Sequence, residues 1–368
     1  MSRLFLVFLG SVIFLMPPLA FAEEAPSEKA KVVALFKAYK ASLKAGDTEG
    51  ALKSAKQMHA LTPVVYGKVS KTHATAAFNL AQLSTVLNHR KDTARYYQEH
   101  LDILDALKVQ KNDRYLAKLG LLAGAYMKIH KADEAIKYGR RALGLAKELN
   151  VSDDIVAAFE LNLGSYYYNS YGMGNKAKRQ FKKAYELYSQ LYGEDHIKTA
   201  QALFWLAKID VGFKKNRRAA EKFENVLDIY NKELPAGDDA ILQTHAFLVN
   251  VYEKMGDKEK STEHCIAVAT ERPLDFDREL DALYKISPKY PYSAQKDGRQ
   301  GHIIAEFTVD EFGQVKDIKT LEGKNIRTFE KSAHKALSQF RYAPSIVDGK
   351  RVETKGVLHK ITFKMAPR

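Results

Sequence analysis

The sequence predicts a mostly α protein: an array of helical hairpins followed by a small α+β domain with a three-stranded antiparallel sheet. Three observations carry that prediction. Small residues recur at a steady spacing of about 42 from residue 30 to 272. After Pro273 that spacing fails, and residues alternate between apolar and polar in three separate segments. Between the second and third of those segments lies one stripe of helical period.

The repeat is clearest in the small residue that opens each second helix: Ala51, Ala94, Ala135, Ala177, Ala219 and Ser261. Their intervals are 43, 41, 42, 42 and 42, a regularity that unrelated amphipathic helices do not produce. Ahead of the last five stand Leu80-Ala81, Leu122-Ala123, Leu163-Gly164, Leu206-Ala207 and Leu248-Val249, with Tyr126, Tyr167 and Tyr252 three residues on in three of them. In the second helices, Ala177, Phe181 and Ala184, like Ala219, Phe223 and Val226, share one face. Small residues let two helices approach closely, and large ones fill the space left between them. Pro63 and Pro273 are expected to close the first and last units, because proline removes a helix donor.

This leucine-small-x-x-tyrosine and alanine-x-x-x-phenylalanine-x-x-alanine pattern resembles the tetratricopeptide repeat (TPR). The long period, and Gly193-Glu194-Asp195-His196 leading to Thr199-Ala200, resemble the kinesin-light-chain variant. The resemblance implies about six hairpins stacked into a right-handed superhelix, since one hairpin cannot bury its apolar stripe alone. It also implies an inner groove for a peptide or partner helix. Tyr166, Tyr168 and Tyr171 are the groove candidates, tyrosine being enriched at interfaces, whereas Tyr167 is expected to pack within its repeat.

In the last part of the chain, Ile303, Ala305, Phe307 and Val309 alternate with Ile304, Glu306 and Thr308, as in a half-buried strand. Asp310-Glu311-Phe312-Gly313 supplies a turn, and a second strand follows in which Val315 and Ile318 are out of phase, predicting a bulge. Phe329, Ala333, Ala336, Leu337 and Phe340 fall on one helical face. A last strand places Val357, His359, Ile361 and Phe363 against Leu358, Lys360, Thr362 and Lys364. This order, with Tyr290-Pro291, Ala294-Gln295, Gly301, Gly313, Phe340-Arg341-Tyr342-Ala343-Pro344 and Gly349, resembles the TonB C-terminal domain. That family grips the extended TonB box of an outer-membrane receptor by adding it to a sheet edge, so the bonds are backbone to backbone. The resemblance implies a receiving edge at Gly356, Val357, Leu358, His359, Lys360, Ile361, Thr362, Phe363 and Lys364, with Gln295 near the contact. Lys360 and Lys364 also suit an edge that must not pair with the wrong chain.

The ends of the chain speak to compartment. Arg3, an apolar run from Leu4 to Leu19 and the small-x-small Ala20-Phe21-Ala22 have the order of a secretory signal peptide. The run is short of the roughly 20 apolar residues of a spanning helix and is broken by Pro17-Pro18, so cleavage after Ala22 is expected over a retained anchor. The expected organisation is a signal peptide at 1–22, the repeat array at 23–272, a linker at 273–286 and the terminal domain at 287–368. Cys265 is the only cysteine, which rules out an internal disulfide and leaves stability to packing. The net charge is +14, and residues 285–368 carry 17 Lys and Arg against 9 Asp and Glu. With export to the periplasm, that basic surface points to anionic envelope partners, including cell wall, and not to nucleic acid.

No catalytic constellation or cofactor site is predicted. Gly67-Lys68-Val69-Ser70 lacks the upstream glycine and the hydroxyl after lysine of a phosphate loop. No Gly-x-Ser-x-Gly elbow occurs, and the 11 histidines show no metal-ligand spacing with a carboxylate. Cys265 falls at a core position. The expected function is therefore a non-enzymatic TonB-like adaptor in envelope transport. Its terminal domain would take a strand from a TonB-dependent receptor or another envelope protein, while the repeats dock a second protein, reaching an ExbB–ExbD-type complex only indirectly. A structural envelope scaffold without energy transduction is the alternative.

Overall fold

The computed structural model describes residues 27–271 and 282–365. The leader at 1–22 and residues 273–281 of the linker, Pro273 included, lie outside the described residues. The chain divides into two compact units, 1–109 and 110–368.

The first unit holds α1 (Glu28–Lys44), α2 (Thr48–Tyr66), α3 (Lys71–Val86) and α4 (Arg90–Ala106), two successive hairpins. The second continues with α5 (Asp113–Lys128), α6 (Ala132–Glu148), α7 (Asp153–Tyr168), α8 (Gly174–Tyr192), α9 (Ile197–Gly212), α10 (Asn216–Glu233), α11 (Asp239–Met255) and α12 (Lys258–Glu271). The helices pack pairwise as hairpins, and within each unit every hairpin also packs on the next. The six period-marking residues all lie in the first turns of α2, α4, α6, α8, α10 and α12, and none is more than 2% exposed. Gly164 shows why small residues are needed there. A Cβ on it would lie 2.6 Å from the ring of Phe181, which is itself wholly buried.

Helix ends are closed locally. Ser27, Asp47, Ser70, Asn112 and Asp238 accept backbone N–H bonds as N-caps. Asn88 and Asn150 turn the chain in the left-handed region after α3 and α6, a conformation asparagine tolerates. The Gly193-to-His196 stretch joins α8 to α9. Gly193 has φ 89°, the His196 ring accepts from the Lys198 N–H, and the Thr199 hydroxyl donates to the Gly193 carbonyl at 2.8 Å.

One expectation is corrected. Pro63 does not end a helix, because α2 runs on to Tyr66. The carbonyl that loses its donor, that of His59, accepts instead from the Thr62 hydroxyl at 3.2 Å.

The terminal domain begins with β1 (Ala282–Tyr284) and the short α13 (Tyr292–Lys296). It continues through β2 (Gly301–Val309), β3 (Val315–Lys324), α14 (Ile326–Leu337), β4 (Arg341–Tyr342), β5 (Ser345–Val347), β6 (Lys350–Val352) and β7 (Thr354–Phe363). Its main sheet is antiparallel in the order β3-β2-β7, flanked by the small pairs β1-β4 and β5-β6. Register shifts in the β2–β3 pairing and φ 52° at Asp317 account for the phase change between Val315 and Ile318. Ile303, Ala305, Phe307, Val309, Ile361 and Phe363 form one buried face, on which α14 lays Phe329, Ala333 and Leu337. Phe340 lies past the end of α14 but still reaches this core.

Candidate functional site

The candidate site is the β7 edge of the β3-β2-β7 sheet, and it is positioned by the packing beneath that sheet. Phe329 and Phe363 stack at 4.3 Å, and Tyr290 meets both rings edge-on at 5.6 and 5.7 Å. The Tyr290 hydroxyl donates to the Arg299 carbonyl at 2.7 Å, which holds the chain entering β2. At the β2–β3 turn the Asp310 carboxylate accepts from the N–H groups of Phe312 and Gln314. Gly313, at φ 78°, is pressed so near Tyr342 that a Cβ would lie 2.0 Å from its carbonyl oxygen. The Tyr342 N–H donates to the Gly313 carbonyl at 2.9 Å.

β7 pairs with β2 from Gly301↔Phe363 to Val309↔Thr354 and is the last strand of its sheet. Its inward side carries Ile361 and Phe363 in the core, with Val357 and His359 half-buried. Leu358, Lys360 and Thr362 are exposed, and Leu358 is 60% accessible. Burial, with Lys285 adding a smaller effect, lowers the His359 imidazole below its ordinary range. Its ring stands edge-on to Phe340 at 5.4 Å. At Gly356, φ 74°, the β2–β7 register shifts, so the strand bends at its start. Lys364 lies just beyond the strand and is exposed.

Gly356 to Phe363 therefore lie together on one sheet edge. Gln295 is exposed on a separate element, α13, beside the buried Ala294. A strand at a sheet edge presents a row of backbone N–H and C=O groups, and such a row can be paired by any extended segment of suitable shape.

The three tyrosines chosen in the repeats have different fates. Tyr166 is 7% exposed, its ring lies against Gly139, and burial pushes its phenol up to about 12. It therefore offers a ligand no surface. Tyr168 is 37% exposed and meets Trp205 edge-on at 5.5 Å, with the Lys208 ammonium 4.1 Å from the Trp205 ring centre. Tyr171 is fully exposed. Arg140, Lys147, Lys176 and Arg179 line a cavity of about 350 Å³ with Tyr167, a basic lining that the tyrosine pattern did not reveal.

Further arrangements lie beyond the periodic pattern of the sequence. Arg341, 2% exposed, turns away from the sheet domain, and its Nε donates to Glu253 of α11 at 2.5 Å. The residues are 88 apart, so no local pattern could pair them. The β5–β6 hairpin, by contrast, had a signal in Asp348-Gly349, both at positive φ as a tight two-residue turn requires.

His59, His73 and Glu99 also converge, with one donor atom from each lying within 4.8 Å of the others. The absence of ligand spacing along the chain was no guide, because α2, α3 and α4 each supply one residue. Hydrogen bonding from His59 lowers the Glu99 carboxyl, while burial lowers His73. Cys265 is wholly buried, and burial pushes its thiol up to about 12, which removes the thiolate a nucleophile needs.

Residues 286–365 match the family described as Gram-negative bacterial TonB protein C-terminal. Over 88 residues the chain is 32% identical to protein TonB of Pseudomonas aeruginosa, covering 23% of this chain and 26% of that one. Over 80 residues it is 28% identical to protein TonB of Vibrio cholerae, covering 22% of this chain and 33% of that one. The chain thus spans about a quarter to a third of the length of these relatives. Among solved structures it is similar to BtubC from P. vanneervenii, at 18% identity and a TM-score of 0.48 over 71% of this chain and 100% of that one. It is also similar to a kinesin-light-chain TPR-like repeat protein of Podosopora anserina, at 15% identity and a TM-score of 0.47 over 55% and 96%. Residues 286–365 therefore form a TonB-type C-terminal domain, and it follows an array of helical hairpins in the chain. Among the described residues, no helix is long and apolar enough to cross a membrane.

Proposed function

We propose that this protein is a periplasmic TonB-like adaptor in envelope transport, and that it takes an extended partner segment as an added strand on β7. The supporting observation is the sheet order, in which β7 is terminal and turns Leu358, Lys360 and Thr362 outward. The occupant is a TonB box or a similar extended segment of an outer-membrane receptor, with Gln295 beside the contact. In this reading the repeats, 23–272, and the terminal domain, 287–368, are separate working parts. The basic cavity at Arg140, Lys147, Lys176 and Arg179 suits an acidic segment of a second envelope protein.

The test is a comparison of Lys360→Pro with Lys360→Ala in the full chain, using a receptor TonB-box peptide as probe. Proline has no N–H and is poorly tolerated in a paired ladder. With folding verified, the proline variant is expected to lose at least tenfold in affinity and the alanine variant little. A photoreactive residue at Lys360 in cells should cross-link to the receptor, this exposed position serving better than the buried Ile361. Equal binding by a folded proline variant would sink strand addition. Loss in Lys360→Ala with steep salt dependence would instead favour an electrostatic scaffold on an anionic envelope polymer, the reading suggested by the basic terminal domain.

A further inference from the structure

The first two hairpins hold a cluster that the adaptor reading does not use. The His59 Nε2 lies 3.0 Å from both Glu99 oxygens, and the His73 Nε2 lies 3.3 Å from Glu99 Oε1. The three side chains come from three consecutive helices. They border a cavity of about 690 Å³ together with Pro63, Lys68 and Arg95.

The hydrogen bonds behind the cluster orient one of its donors. Pro63 has no N–H for the His59 carbonyl, so the Thr62 hydroxyl donates to that carbonyl at 3.2 Å. With its proton so committed, the Thr62 oxygen accepts from His73 Nδ1 at 3.0 Å. A neutral His73 that donates from Nδ1 presents the lone pair of Nε2 to a carboxylate oxygen. Two lone pairs facing each other repel, and a cation between them removes the repulsion. An imidazole held by a hydrogen bond from its far nitrogen is also the usual supporting arrangement of a metal-binding histidine.

We propose that His59, His73 and Glu99 bind a divalent transition-metal ion, zinc above all, with its fourth position open to the cavity. Two imidazoles and one carboxylate are a known zinc donor set. Donor atoms around a tetrahedral zinc stand about 3.3–3.5 Å apart, given metal–ligand distances of about 2.0–2.2 Å. The two histidine-to-Glu99 separations already lie near that value, and all three donor atoms lie within 4.8 Å of one another, so side-chain rotation alone can close the set on an ion. The hard cations calcium and magnesium fit poorly, because they prefer an all-oxygen shell. Bound there, the ion clamps α2, α3 and α4 to one another and so couples metal availability to the stability of the first two hairpins.

The test uses the full chain, purified without a histidine tag and dialysed against chelator. Zinc titration by calorimetry should give one tight site per chain, and cobalt(II) should develop the intense visible bands of a tetrahedral complex. Glu99→Gln is nearly isosteric at a part-exposed position, so it should fold, which circular dichroism checks. It is expected to weaken binding by well over tenfold, as is His73→Gln. Thr62→Val keeps the shape but removes the orienting hydroxyl and should weaken binding by roughly 10- to 100-fold. His264→Gln, which alters the other histidine pair, should leave binding unchanged. Zinc should also slow amide exchange in α2 to α4 by tenfold or more when well above its Kd. No zinc or cobalt binding by the wild type would overturn the proposal, since the cluster would then hold only a proton. Unchanged binding in folded Glu99→Gln and His73→Gln, or loss on His264→Gln alone, would overturn it as well by placing the metal elsewhere.

Discussion

Two close approaches show how the helical array and the terminal sheet domain differ. At Gly164 the missing Cβ makes room for a side chain, the ring of Phe181; at Gly313 it makes room for a main-chain carbonyl, that of Tyr342. The array closes its backbone bonds inside each helix and at the caps, so its helices meet, and would meet a partner, through side chains. The sheet domain holds its strands together by backbone pairing, and the same groups recur at the outer side of β7. Specificity in the array must therefore be written in particular residues, such as the four cations of the Arg140 cavity. At the sheet edge it can rest largely on shape and strand direction.

The largest expected effect tests whether the two regions are energetically separate at all. Glu253 and Arg341 form a buried pair between α11 and β4, with side chains 5% and 3% exposed. Glu253→Ala leaves the guanidinium buried without its partner and should cost about 3–5 kcal/mol. Hydrogen exchange should show lost protection in both α11 and the sheet domain. Loss confined to α11 would mean that the sheet domain does not depend on its docking.

Gly164→Ala should follow, at up to about 3 kcal/mol, because the added methyl meets the Phe181 ring at 2.6 Å in a packed core. Nearest-neighbour stacking predicts that the damage stays in α7, α8 and the hairpins beside them. A uniform fall in protection across residues 110–365 would instead mean that the array and the sheet domain unfold as one.

The smallest effect is pH-dependent. Burial, reinforced by His264, pulls His245 from 6.5 down to about 4, with Glu224 opposing it weakly. A base whose folded value is depressed adds stability that is complete above the unfolded value and is lost as pH falls from 6.5 towards 4. At pH 5 the loss should be about 2 kcal/mol. Urea midpoints at pH 7 and pH 5 should differ accordingly, and His245→Gln should flatten the difference. A slope unchanged by His245→Gln would assign the acid sensitivity to other groups.

Much of this fold was legible in one dimension. The 42-residue spacing marks residues that are buried in all six hairpins, and the alternation in Ile303 to Val309 and Val357 to Phe363 marks the faces that α14 covers. Even the edge position of the last strand followed from the family pattern. Tyr166 shows the limit: its neighbours in sequence are solvent-facing or core according to the turn of one helix, and only packing against Gly139 decided which it was.

By itself, then, the sequence determined the hairpins, the terminal sheet and the residues that line each core. Periodicity is a property of a single element, and burying one face is nearly all that a helix or strand asks of its residues. The tertiary structure alone decided that Pro63 sits inside a helix, that Arg341 reaches Glu253, and that His59, His73 and Glu99 meet. Each depends on how separate elements cross, and which side chains then face one another is set by interlocking surfaces contributed from distant parts of the chain.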